Sequence, residues 1–306
     1  MKFADLKPLS VEDRDLYEAY FKLSKTKLAD SCFNSRIAWD EGYNYRWFEA
    51  GNCFCSLSDG GVFTDPHMYL PIGDLTTENL TEILKIAEPI FSAEGWELKF
   101  LFVDEVYREV FDAVPGYDFT WSYDDNFSDY LYDAQKLRDL KGRDYRQKRN
   151  HVNKFLRAYS GYSYRTLSAK DRAQCVSLTR TWCMDKEVDC RDITKSDLPA
   201  IRKVFDNFDQ LAVKGGVVEI DGEITAFAIG SQICKDYGVI HFEKAHPDFE
   251  GLYTVINQWV LEEEFPDIKY VNREEDMGIE GIRNAKESYL PIKKLKKFCV
   301  TINRRR

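Results

Sequence analysis

The chain has 306 residues, 44% of them apolar and 14% aromatic, with a formal net charge of −9. A chain of this size buries roughly 75% of its unfolded surface, so it needs no metal or disulfide framework, and its composition excludes a disordered, collagenous or coiled-coil protein. No apolar run reaches the roughly 18 residues of a membrane span, and the opening MKFADLKPLSVEDRD lacks a signal peptide's apolar stretch. The expectation is two domains in the cytoplasm. The eight cysteines, with no Cys-x-x-Cys pair, are expected to be reduced and mostly buried. The histidines show no zinc spacing, so no metal is expected.

In chain order, Leu9-Ser10-Val11-Glu12-Asp13-Arg14 opens a helix over about 11–23. Its Ser, with Asp three residues on, is a capping-box pattern. Strands are expected at 44–57 and 63–70, a helix over 76–92 behind Thr76 and Thr77, a strand at 98–103, a helix at 105–113 and a long aromatic strand at 117–132. Lys136–Tyr159 reads as a helical connector with a break at Gly142. A strand at 162–167 and a helix at 169–184 follow, the helix opened by Leu167-Ser168-Ala169-Lys170-Asp171-Arg172, which repeats the first L-S-x-x-D-R. Helix 197–211 leads into strands 216–220 and 225–233 around Asp221-Gly222, a type I′ hairpin signal. Strand 239–245, helix 251–263, strand 268–271, helix 278–289 and an alternating strand through Phe298, Val300 and Ile302 complete the chain.

The two halves therefore share one order of elements, which implies an α+β chain with a mixed sheet flanked by helices in each half. The expected boundaries are an N-terminal domain at 1–135, a basic connector helix at 136–160 and a C-terminal domain at 161–306. Charge is unevenly spread. Residues 136–157 and 293–306 each carry +7, leaving the rest of the chain at −23. An acidic body with two basic segments points to a localised anionic partner. The basic tail reads either as a membrane-surface contact or as the solvated edge of the last strand.

The order of elements resembles the acyl-CoA N-acyltransferase (GNAT-like) fold in tandem. Two stretches sharpen the resemblance: KGRDYRQKRNHVNKF at 141–155 and NREEDMGIEGIRNAKESYLP at 272–291. With them the chain is similar, over essentially its whole length, to the family named for the C-terminal domain of phosphatidylglycerol lysyltransferases. That family is related to the Fem-type peptidyltransferases, which move an aminoacyl group from a charged tRNA to an amine or hydroxyl. The resemblance implies an acyl- or aminoacyltransferase with a groove between its halves and either acyl-CoA or aminoacyl-tRNA as donor. The alternative is a non-catalytic tRNA, nucleic-acid or small-molecule binding protein on the same fold.

On a helical wheel, Tyr145, Val152, Phe155, Leu156 and Tyr159 form an apolar arc, opposite Arg143, Arg146, Asn150, Asn153, Lys154 and Arg157. Arg146 and its neighbours are either a solvated face or phosphate contacts. Lys148 falls inside the apolar arc and Arg149 at its edge, so each needs a partner or must snorkel outward. Both are candidates to line the groove and hold donor phosphate or carboxylate, with Lys141 and His151 beside them.

In the acyltransferase fold, donor phosphates sit where the meander meets the next helix. Here Gly251, Tyr253 and Thr254 occupy that junction, preceded by Asp248 and Glu250, two carboxylates that oppose a pyrophosphate. At the end of the third meander strand, Glu243 is the candidate base and Lys244 a candidate oxyanion stabiliser. Arg273 offers a planar fork for carboxylate or phosphate. Asn272, Glu275 and Asp276 stand at a strand's carboxyl end, where sheet folds place ligands. Asp276 also reads as a helix cap. Tyr289 is either core or a general acid, with Lys286 near it.

Overall fold

The computed structural model describes residues 1–305; Arg306 of the basic tail lies outside them. The chain forms two compact units, residues 1–129 with 295–306, and residues 130–294.

The first unit contains β1 (Lys7–Pro8), α1 (Arg14–Phe21), α2 (Phe33–Tyr43), β2 (Tyr45–Ala50), β3 (Cys53–Ser58), β4 (His67–Tyr69), β5 (Ile72–Gly73), α3 (Thr77–Glu94), β6 (Lys99–Asp104), α4 (Arg108–Asp112) and β7 (Tyr117–Tyr123). The second contains β8 (Asp129–Asp133), α5 (Ala134–Asp139), α6 (Arg146–Ala158), β9 (Tyr162–Thr166), α7 (Arg172–Asp185), α8 (Leu198–Asp206), α9 (Phe208–Leu211), β10 (Lys214–Ile220), β11 (Glu223–Cys234), β12 (Tyr237–Ala245), α10 (Leu252–Glu263), β13 (Tyr270–Asn272), α11 (Glu280–Glu287) and β14 (Lys293–Leu295). The chain ends with β15 (Lys297–Arg304). The sheet orders are β1-β2-β3-β4-β6-β15-β7, with β5 on β3, and β14-β8-β13-β12-β11-β10-β9. Each is mixed: β4 pairs parallel with β6 in the first, and β12 parallel with β13 in the second.

Local chemistry places the ends of elements. Ser10 and Ser168 each donate their backbone N–H to the Asp three residues on, at 3.0 and 2.8 Å. Both L-S-x-x-D-R stretches are thus working capping boxes. Asp221 and Gly222 take positive φ and turn β10 into β11, as an I′ hairpin requires. The second core buries one stripe of α10 (Leu252, Val255, Ile256, Val260) with Val152 and Phe155 of α6 against Val218, Ala226 and Ala228.

Four expectations change. The strand expected at 44–57 is the hairpin of β2 and β3, because Gly51 and Asn52 both adopt positive φ. The strand expected at 117–132 is interrupted at 124–128; β7 joins the first sheet and β8 the second. The boundary expected at 135/136 accordingly lies at 129/130, and the basic connector packs as part of the second unit. The last strand, expected in the second half, pairs antiparallel with β6 and β7 of the first unit, where Phe298 and Val300 enter the core. Helix α2 has no counterpart in the sequence reading.

Cys183 and Cys190 form a disulfide, whereas reduced thiols were expected throughout. The turn after α7 brings their Cα atoms to 5.8 Å, within bonding range for two cysteines. No helix among the described residues is long and apolar enough to cross a membrane.

Candidate active site

Strands β12 and β13 are registered only from Tyr237↔Tyr270 to Val239↔Asn272, while β12 continues to Ala245. The strands thus part beyond Val239, and the gap carries a polar cluster that lies wholly within the second unit. The register of β12 against β11 shifts at Ile229/Gly230, leaving His241 as an extra residue. A bulge of this kind re-aims the side chains that follow it.

Glu243, near the carboxyl end of β12, extends toward α10. Its Oε2 accepts from Asn257 Nδ2 at 2.9 Å, and its Oε1 lies 3.2 Å from Arg273 Nη2. Both charged side chains are nearly buried, 13% and 11% exposed. Two polar atoms beside this pair are buried without a hydrogen-bond partner: Arg273 Nη1 and Asn257 Oδ1. Buried polar atoms are rarely left unmatched, so a bare donor and a bare acceptor on either side of a carboxylate are features to account for.

Aromatic rings complete the cluster. The Arg273 guanidinium lies 4.8 Å from the centre of the Tyr289 ring and 5.7 Å from that of Tyr132. Lys148 Nζ sits 3.7 Å from the Tyr289 ring and donates to Ser288 Oγ at 2.6 Å. Burial lowers the Lys148 ammonium to about 8, with the positive Arg273 adding to the shift and Glu243 opposing it. Burial pushes the Tyr289 phenol up to about 12, so it stays protonated at neutral pH. Arg273 and hydrogen bonding with Thr254 pull the other way.

The segment after β13 is held from several sides. Lys286 Nζ donates to the carbonyls of Arg273, Glu274 and Glu275. Asn272 Oδ1 accepts the Glu274 N–H at 2.8 Å. His241 bridges Ser231 Oγ at 2.8 Å and Glu274 Oε1 at 2.9 Å. Asp276 is fully buried and accepts from Tyr130 Oη at 2.6 Å, from Arg283 Nε and Nη2 at 3.0 and 2.9 Å, and from the Gly278 N–H. Arg283 holds its carboxyl well below the usual range. Glu274 takes a left-handed φ of 57° within this frame.

Thus Glu243, Arg273, Tyr289 and Lys148 meet, whereas Asn272, Glu275, Asp276 and Lys286 build the support beneath Arg273. Asp276 does not cap α11, whose N-cap is Ile279. Lys244 alternates to the other face of β12, where its Nζ pairs with Asp197 at 2.8 Å and lies 3.8 Å over the Trp182 ring. Arg149 Nη1 bonds to the carbonyls of Leu140 and Gly142 and so closes the C-terminus of α5. Lys141 and Arg146 are exposed, and Lys141 pairs with Asp139.

At the start of α10, a Cβ on Gly251 would strike the His151 carbonyl, so α6 crosses closely over this turn. Tyr159 Oη donates to the Asp248 carbonyl and accepts the Glu250 N–H, both at 3.2 Å, and Lys154 pairs with Glu250. Tyr253 is 40% exposed, while Thr254 is buried.

Tyr132 and Asn257 were not anticipated. Tyr132 looked like one aromatic among many in its strand. Asn257, a polar residue among the apolar positions of α10, was the readable signal.

The profile described as phosphatidylglycerol lysyltransferase, C-terminal, matches residues 21–301. A conserved protein of unknown function from Bacteroides thetaiotaomicron superposes with a TM-score of 0.88 at 27% identity, covering 97% of this chain and 99% of its own. The C-terminal domain of a putative lysylphosphatidylglycerol synthetase from Agrobacterium fabrum gives 0.66 at 15% identity, covering 95% and 92%. FemX gives 0.65 at 9% identity, covering 96% and 97%. The fold is thus the tandem GNAT-like arrangement, and the chain belongs to the phosphatidylglycerol lysyltransferase C-terminal family.

Proposed function

We propose that the protein is an acyltransferase whose donor carries an aminoacyl group, and that transfer to an amine or hydroxyl acceptor takes place at the Glu243–Arg273 cluster. The observation that carries this reading is the pair of bare buried atoms flanking Glu243, Arg273 Nη1 and Asn257 Oδ1. An aminoacyl ester has both complements: a carbonyl oxygen for the guanidinium donor and an α-ammonium for the amide oxygen. A plain acyl group has no partner for Asn257 Oδ1.

In this scheme Glu243 takes a proton from the attacking acceptor. Arg273 and the Lys148 ammonium stabilise the oxyanion that develops on the carbonyl. The Tyr289 phenol, kept protonated by burial, returns a proton to the leaving oxygen. Placing donor and acceptor side by side supplies effective molarities that reach about 10⁵ M or more in well-oriented systems.

The α10 turn favours a tRNA-borne donor over acyl-CoA. Its amides lie beneath α6, and its neighbours Asp248 and Glu250 are acidic. The exposed Arg143, Arg146 and Arg157 of the α6 region offer phosphate contacts instead. A binding protein without catalysis is the competing reading. Incubation with radiolabelled aminoacyl-tRNAs, or with acyl-CoAs, and a panel of amine and hydroxyl acceptors decides between them. Label transfer that disappears in Glu243→Gln supports the proposal. Transfer that is equal in the variant and the unmodified protein refutes it.

A further inference from the structure

The first unit contains a second arginine on tyrosine rings, and this one has no counter-ion. Arg36 of α2 is 2% exposed. Its guanidinium lies 4.0 Å from the centre of the Tyr69 ring and 5.6 Å from that of Tyr45. Nε donates to Tyr17 Oη at 3.2 Å, while Nη1 is buried with no partner. Among the described residues no carboxylate pairs with it. Ring faces attract a cation, but they replace neither the hydrogen bonds nor the charge balance that a buried guanidinium loses on leaving water.

A second bare atom lies in the same cluster. His67 is fully buried. Its Nδ1 is 2.8 Å from the Asp65 carbonyl, so Nδ1 carries the proton and Nε2 is left as an acceptor. Nε2 has no partner. Burial first, with the nearby positive charges of Lys99 and Arg36, lowers this imidazole to about 4 and keeps it neutral. The His67 ring is 4.6 Å from that of Tyr69, and the Tyr69 ring is 5.7 Å from that of Phe102. Phe102 holds a left-handed φ of 54° inside β6, a costly backbone state for a bulky residue and one that recurs at ligand sites.

We infer that Arg36 and His67 form a binding site for a small monoanionic carboxylate that also carries a hydrogen-bond donor. Charge sets the class. One uncompensated positive charge beside a neutral imidazole is balanced by a monoanion, whereas a phosphate dianion would bury an excess negative charge. Shape agrees, because a guanidinium stacked on a ring presents its edge to a planar two-oxygen group. The donor on the ligand answers His67 Nε2. Residues 59–66 provide the entry. They lead directly into His67; Gly61, Val62, Thr64 and Asp65 are exposed, while Phe63 is half-buried, its ring 4.7 Å from Tyr43 and 5.9 Å from Trp39. Arg36, His67 and Phe63 all lie in the first unit, so the site is independent of the chemistry proposed for the second.

The test is thermal unfolding with sodium glycolate, sodium acetate or inorganic phosphate, each matched in ionic strength by chloride. Glycolate is expected to raise the melting temperature by about 3 °C at saturating concentration, acetate by less, and phosphate by no more than chloride. Arg36→Met should abolish the glycolate response. Phe63→Ala leaves Arg36 and His67 in place and should respond at a lower glycolate concentration than the unmodified chain, which keeps the test decisive if Arg36→Met does not fold. The inference is overturned if neither the unmodified chain nor Phe63→Ala responds to a carboxylate. It is equally overturned if Arg36→Met responds like the unmodified chain, or if phosphate outperforms glycolate.

Discussion

Arg273 reaches Glu243 at 3.2 Å across the gap where β12 and β13 part; Glu243 stands on β12 and Arg273, 30 positions on, directly follows β13. The pair is nearly buried yet incompletely satisfied: Arg273 keeps one nitrogen free, and Glu243 is steadied by Asn257. Removing either member of such a pair leaves an uncompensated charge, so each substitution carries a stability cost beside its effect on turnover.

Glu243→Gln preserves the shape and can still accept from Asn257. It should lower turnover by about 10²- to 10⁴-fold, the span that general-base catalysis commonly provides, and also lower the melting temperature, because it leaves the buried Arg273 charge uncompensated. Arg273→Met should lower both as well, because it strands the Glu243 carboxylate. Steady-state kinetics and calorimetry on the same preparations measure both losses.

Lys148 titrates near pH 8 in the folded chain and near 10.4 when unfolded. Its charged form supports the oxyanion in the proposed mechanism, so turnover should decline as pH rises through about 8. Between pH 8 and 10.4 the unfolded chain holds a proton that the folded chain has shed, so this group's contribution to stability rises over that window. Lys148→Met should erase the alkaline limb of the rate profile. It should also raise stability near neutral pH by about 1 kcal/mol, since it removes a partly desolvated charge.

His67 titrates near pH 4 when folded and near 6.5 when unfolded. As the pH falls from 6.5 toward 4, the unfolded state takes up a proton that the folded state refuses. The first unit should therefore lose up to about 3 kcal/mol over this range. Urea unfolding of His67→Gln at pH 4.5 and 7 should show a smaller pH dependence than the unmodified protein.

Asp276 accepts four hydrogen bonds beneath the Arg273 segment. Asp276→Ala should lower the melting temperature by several degrees and abolish turnover, although the residue has no part in the proposed chemistry. Asp276→Asn retains the shape but loses the charge facing Arg283, and should recover part of the stability. Thermal melts alongside a turnover assay establish whether the two losses move together.

If the donor is tRNA, its affinity should fall steeply with salt. Neutralising Arg143, Arg146 and Arg157 together should reduce the slope of log affinity against log salt by about 2. Fluorescence anisotropy with labelled tRNA measures this, and an unchanged slope places the tRNA elsewhere.

Much of the architecture was legible along the chain because local chemistry specifies it. The two L-S-x-x-D-R caps, the Asp221-Gly222 hairpin and the apolar stripe of α10 depend on neighbours within a few residues, so they can be read in order. Lys148 was also legible, as a charge on an apolar arc. The partners of these residues were not. Nothing adjacent to Arg149 shows that its guanidinium would close the end of α5, nor that Lys244 would turn to Trp182 and Asp197. Alternation of side chains along β12 separates Glu243 from Lys244 but does not say which face meets α10; packing decides that. Nothing along the sequence marks Arg36, since a charge becomes unusual only once burial removes its water. The alternation of Phe298, Val300 and Ile302 determined that a strand would form, and only pairing across the chain determined its sheet, because free backbone edges accept whichever strand the completed core presents to them.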